Sequence, residues 1–158
     1  MEKRFNEAPC GIITLNQKGE MMAVNNTLSK GLQIPLERLV SKHFEILLTS
    51  ANRIIFHSYF YPTIQLKGEV DGLFLQLKSN EGVMPFLLNA KLIEVDGEQI
   101  IDCFMMPMQK RIDYELELKQ AKQLSEAAYV AKEQALIELQ HLHDEIEKEQ
   151  SQLLQSNA

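Results

Sequence analysis

Two hydrophobic periods run along this sequence, and the switch between them divides it. From Leu73 the apolar residues recur at every second position. Leu73, Leu75 and Leu77 share one face while Gln76 and Lys78 take the other, the spacing of a half-buried strand. Met84, Phe86, Leu88, Ala90 and Leu92 form a second alternating set, and Ile100–Met106 reads as a third strand. Ser79-Asn80-Glu81-Gly82 and Asp96-Gly97 are turn sequences, so the spacing predicts an antiparallel meander.

Upstream, the pattern predicts a hairpin and then helices. Gly11–Leu15 and Glu20–Val24 are β-prone runs joined by Asn16-Gln17-Lys18-Gly19, a turn in which Gly19 supplies positive φ. Asn25 or Asn26 is positioned to cap a short helix that Gly31 ends. Pro35 suits the first turn of another helix reaching Val40. Phe44–Leu48 and Ser50–Tyr61 carry apolar residues at helical spacing, with Pro62 as the expected stop. Five strands with a block of helices between the second and third predict an α+β domain. Its sheet is five-stranded and antiparallel, with the helices on one face.

After Pro107 the chain contains neither Gly nor Pro, which places a boundary near residue 110. Residues 1–110 are expected to form the globular domain and residues 111–158 a helical extension. Arg111–Gln155 consists of good or neutral helix formers, and about 44 residues at 1.5 Å each give a rod of roughly 65 Å. A helix that long cannot cover itself with a domain of this size, so it calls for a second helix in a coiled coil. One seam runs through Tyr114, Leu118, Ala121, Ala128, Ala135, Leu139, Leu142, Ile146 and Leu153, with Ser125, Lys132 and Glu149 completing the heptads. It is well filled at both ends and weak in the middle. A second seam, through Leu124, Ala128, Ala131, Ala135 and Leu142, fits the middle better. Two registers therefore share an Ala-rich centre, and the expected partner is a second copy of the chain.

Composition sharpens this division. The net charge is −6, and residues 111–158, with 5 basic and 10 acidic side chains, hold −5 of it. Such a balance argues against a nucleic-acid surface. No apolar run reaches the roughly 18–20 residues of a membrane span, and the N-terminus lacks a secretory pattern, so a cytoplasmic location is expected. Cys10 and Cys103 match no metal or redox spacing and read as free thiols.

The sequence carries no familiar catalytic motif. Gly-x-Ser-x-Gly, the phosphate-cradling Gly-x-x-x-x-Gly-Lys and His-Glu-x-x-His are all missing from the sequence. Asp71-Gly72 and Asp96-Gly97 are turns rather than paired acids. His43 reads as a solvated helix-end residue. Leu142-His143-Asp144-Glu145 resembles the start of a histidine-kinase phosphoacceptor helix, so an alternative role is a phosphorelay component accepting phosphate at His143. A ligand-free dimerisation adaptor is the other alternative. The expectation is a protein that is not an enzyme and carries no metal.

The order of elements resembles the PAS fold, and particular residues carry the resemblance. Gly11 to Asn25 looks like the PAS opening: a strand, a polar turn ending in Gly19, a returning strand, and an Asn that starts a helix. Phe56-His57-Ser58-Tyr59-Phe60-Tyr61-Pro62, Gly68, and Val83 through Ala90 look like a bacterial PAS subgroup that precedes phosphatase, diguanylate cyclase or kinase output domains. The resemblance covers about Asn6 to Gln120. It departs at Pro107-Met108-Gln109-Lys110-Arg111, where PAS strands often end in Asp-Ile-Thr. The resemblance implies a sensory module that binds a small ligand or partner. It would pass the change through a dimeric coiled coil to an output enzyme in the same chain or another. It implies a pocket lined by Ile55, His57, Tyr59, Leu75, Phe86, Leu88, Cys103 and Met105. The cofactor stays open: His57 offers a haem ligand, and a non-covalent flavin is compatible. The Cys of the covalent flavin motif is missing.

Overall fold

The computed structural model describes residues 2–157. The strands are β1 (Gly11–Leu15), β2 (Met21–Val24), β3 (Glu69–Ser79), β4 (Gly82–Val95) and β5 (Glu98–Pro107). They form one sheet in the order β2-β1-β5-β4-β3, antiparallel at every pairing. The meander follows the alternation in the sequence. Leu75 pairs with Phe86, Leu88 with Met105 and Ala90 with Cys103, all on one buried face. β1 joins the far edge of β5, bringing Ile13 opposite Cys103 and Gly11 opposite Met105.

The helices are α1 (Glu2–Asn6), α2 (Asn26–Leu32), α3 (Ser50–Ile55), α4 (Tyr61–Lys67) and α5 (Gln109–Ser156). Asn25 caps α2 by accepting the Leu28 N–H at 3.1 Å, and its side chain is fully buried. Gly31 lies inside α2 rather than ending it. The helix closes on Gln33 at φ 56°, whose N–H donates to Lys30, while the Ile34 N–H reaches the Ser29 carbonyl at 3.1 Å. The two short segments expected to be helical are single 3₁₀ turns, Leu36–Arg38 and Phe44–Leu47.

Pro62 does not stop the helix that precedes it. A π turn over Phe56–Phe60 intervenes between α3 and α4, and the Tyr61 N–H donates to Phe56, five residues back. That slip places Pro62 in the first turn of a new helical segment, where its missing N–H costs nothing. The helix ends instead at Gly68, φ 75°. β1 to α4 and the meander enclose one core, in which Phe44, Phe56, Phe60 and Phe86 are the largest fully buried side chains.

The chain divides between Arg111 and Ile112 into two units. α5 is 48 residues long, about 72 Å at 1.5 Å per residue, and buries none of them.

Candidate functional site

The sheet's inner face supplies one wall of the site. Leu75, Phe86, Leu88, Cys103 and Met105 all lie there, each no more than 2% exposed. The opposing wall comes from the α3–π–α4 run. Phe56, Phe60 and Ile64, four residues apart, turn inward together. Phe56 and Phe60 stack with ring centres 4.6 Å apart, and Phe44 approaches Phe56 at 5.2 Å. Ile55, His57 and Tyr59 face outward, with 53% of the His57 side chain exposed. The reason is periodic. Every second residue shares a face in a strand, but this segment is helical, and its inward face is Phe56 and Phe60. Of the eight expected pocket residues, the five on strands therefore meet at the core and the three on the helix do not join them.

A buried polar side chain joins the two walls, and a second ties β1 to the N-terminal segment. Asn52 of α3 accepts the Gln76 N–H of β3 at 3.1 Å and donates to Thr49 Oγ1 at 2.7 Å. Asn25 Oδ1 accepts the Ile12 N–H at 2.9 Å, and its Nδ2 donates to the carbonyls of Phe5 and Cys10. Cys103 is fully buried, and burial followed by the nearby Asp102 charge pushes its thiol far above the usual range. It is an inert packing residue rather than a nucleophile.

The sequence reading did not single out Tyr61, the polar group at the rim of this core. Its hydroxyl is buried and finds no hydrogen-bond partner among the described residues. Burial, then Glu45, then Cys103 raise its pKa. Around it stand groups from three segments. His43 caps the Phe44–Leu47 turn, its Nδ1 accepting the Glu45 N–H at 3.1 Å, which leaves the proton of the neutral ring on Nε2. Glu45 pairs with His57 Nε2 and lies 3.7 Å from His43 Nδ1. Gly19 completes the cluster from the β1–β2 turn: a Cβ there would overlap the Tyr61 hydroxyl and come within 2.7 Å of His43 Nε2. His43 is thus a half-buried capping residue. Among the described residues no group of three or more His, Cys, Asp or Glu is placed to hold a metal ion. Within those residues no helix is long and apolar enough to cross a membrane.

On α5 the seam residues are all solvent-exposed in the single chain, Leu139 at 62% and Leu153 at 62% among them. His141 and His143 each face a carboxylate one turn later, Glu145 at 3.6 Å and Glu147 at 3.3 Å. The His143 imidazole is accessible, with its Nε2 against Glu147.

No family model matches the chain. It is 34% identical over 119 residues to phosphoserine phosphatase RsbP of Bacillus subtilis (strain 168), a match covering 75% of this chain and 30% of that protein. The chain thus spans under a third of that relative's length. Among solved structures it is similar to the PAS domain of an HTR-like protein from Haloarcula marismortui. That likeness has a TM-score of 0.57 at 14% identity and covers 67% of this chain and 87% of that one. A PAS domain from a two-component sensor histidine kinase gives 0.58 at 14% identity, covering 67% and 91%. The PAS domain of a LuxR-family transcriptional regulator from Burkholderia thailandensis, in complex with ethanol, gives 0.57 at 14% identity, covering 68% and 96%. These likenesses each cover about two thirds of the chain, and the globular unit of this chain belongs to the PAS fold.

Proposed function

We propose that the chain is a sensory module. A small ligand or partner engages the PAS core, and the change passes through a dimer of α5 to an output domain or protein. The observation that carries this reading is α5 itself: 48 helical residues with none buried, continuing directly from the last strand of a PAS-fold sheet. Burying the apolar stripe from Tyr114 to Leu153 against a second copy removes Leu, Ile and Tyr side chains from water at about 25 cal/mol per Å².

The core is filled, so a small, mostly apolar ligand would enter it by displacing packed side chains. The wall of that core is the strand quintet Leu75, Phe86, Leu88, Cys103 and Met105 facing Phe56 and Phe60, with the unpartnered Tyr61 hydroxyl as a hydrogen-bonding group at the rim. An unpaired charge would be expensive there. The ethanol in the Burkholderia PAS domain agrees with a ligand of that class. The likeness to RsbP points to a phosphatase as the output, in the same chain or another. The module itself is read as non-catalytic and cytoplasmic.

Native mass spectrometry of the purified chain tests this reading. The expected result is a two-copy mass carrying a small adduct that denaturation releases. A bare protein that gains no adduct from cell extract contradicts ligand sensing.

A further inference from the structure

The middle of α5 carries an apolar facet that the seam does not use. At 100° per residue, Val130 and Ile137 lie roughly 180° round the helix from Ala128 and Ala135. They stand 51% and 68% exposed, and a pair of helices closed along the seam leaves them in water. Tyr129 and Leu136, 63% and 56% exposed, lie between this outer line and the seam. The four residues surround a single acid. Glu133 has Tyr129 and Val130 four and three positions before it, and Leu136 and Ile137 three and four after it. Those are the positions from which a helical neighbour would neutralise it, and none is basic. The Glu133 carboxylate has no ion pair among the described residues. Glu126, one turn before Val130, adds a second negative charge in line.

We infer that this facet is a docking surface for a basic amphipathic helix of a partner protein, one that presents Lys or Arg at the centre of an apolar stripe. The inference rests on the paired-helix reading, because it is the seam's occupation that leaves Val130 and Ile137 uncovered. Charge decides between a foreign helix and further copies of this chain. The seam's centre holds Ala128, Lys132 and Ala135 and no acid, whereas the facet is centred on Glu133 with Glu126 in line, so two pairs meeting on the facet would set these carboxylates against each other. A cation reaching Glu133 inside the apolar ring satisfies the carboxylate while its neighbours bury Tyr129, Val130, Leu136 and Ile137.

The test uses the full chain and two fluorescent 20-residue synthetic helices with the same apolar stripe, one centred on Lys and the other on Glu. Fluorescence anisotropy gives their affinities, and sedimentation equilibrium gives the copy number. The Lys peptide is expected to bind a two-copy protein at least tenfold more tightly than the Glu peptide. Val130→Ser with Ile137→Ser should weaken it at least tenfold without changing the copy number. Glu133→Lys should reverse the preference between the peptides. Equal binding of the two peptides, or binding indifferent to these substitutions, overturns the facet. So does a four-copy mass that the serine pair returns to two, since the facet would then be a contact between copies. A single-copy mass contradicts the pairing beneath it, a failure distinct from that of a two-copy protein whose peptide binding ignores Val130, Glu133 and Ile137.

Discussion

Gly19 and Tyr61 are in contact through the space where a Cβ on residue 19 would stand. The turn glycine, at φ 86°, lies over the Tyr61 hydroxyl and beside His43 Nε2. Position 19 thus requires glycine twice, for its backbone and for its neighbours. Gly19→Ala is expected to destabilise the domain by about 2–4 kcal/mol. Left-handed strain contributes about 1–2 kcal/mol of this and the forced displacement of Tyr61 the rest. Urea denaturation measures it. Adding Tyr61→Phe should recover part of the loss, and a double variant no more stable than Gly19→Ala would deny the contact.

Tyr61→Phe alone is expected to leave stability unchanged or raise it by up to about 1 kcal/mol, because the hydroxyl it removes is buried without a partner. A clear loss in thermal denaturation would mean that the oxygen has a stabilising partner in solution.

Asn25→Ala is expected to cost about 2–4 kcal/mol. It uncaps α2, and it strands the Ile12 N–H along with the carbonyls of Phe5 and Cys10. By contrast, Gly31→Ala should add about 0.5–1 kcal/mol, since Gly31 sits within α2 and a Cβ there meets nothing within 4 Å. Urea midpoints moving in opposite directions in these two variants would bear out the helix assignment.

Alkaline pH should weaken the fold through Cys103. Burial raises its thiol pKa in the folded state, so folding keeps a proton that the unfolded chain releases above about pH 8.5. The stability is fully present below that pH and falls as pH rises, by at most about 1.4 kcal/mol per pH unit for the one proton. Tyr61, also raised, adds to the loss above about pH 10. Cys103→Ala should flatten the slope between pH 8.5 and 10. In thiol-reagent assays on the native protein Cys10, half-exposed, should react and Cys103 should wait for unfolding.

The meander was legible because strict alternation survives wherever one sheet face is buried, as at Leu73, Leu75 and Leu77. The hairpin was legible from the turn chemistry of Asn16 to Gly19. The inward face of the α3–π–α4 run was not. Ile55, His57 and Tyr59 follow a strand's period on a helix, while Phe56 and Phe60 hold the buried face. Pro62 read as a stop because nothing local announces a π turn ahead of it. Tyr61 went unnoticed because its setting is tertiary: Gly19 of the β1–β2 turn and the His43–Glu45 turn converge on it from elsewhere in the chain. On α5 the helix itself was legible from its run of helix formers without Gly or Pro, a local property.

The Ala-rich centre of the seam leads to a prediction about signalling. Ala128→Leu with Ala135→Leu should hold one register, keep the two-copy mass and abolish the response of hydrogen exchange in α5 to ligand. An unchanged response would mean that the centre does not shift.

Sedimentation equilibrium of the purified chain at micromolar concentration tests the central claim most directly. Pairing through α5 predicts a species of twice the 18.1 kDa chain mass, shifted to single copies by Leu139→Asp with Leu142→Asp. An 18.1 kDa species at every concentration would contradict it.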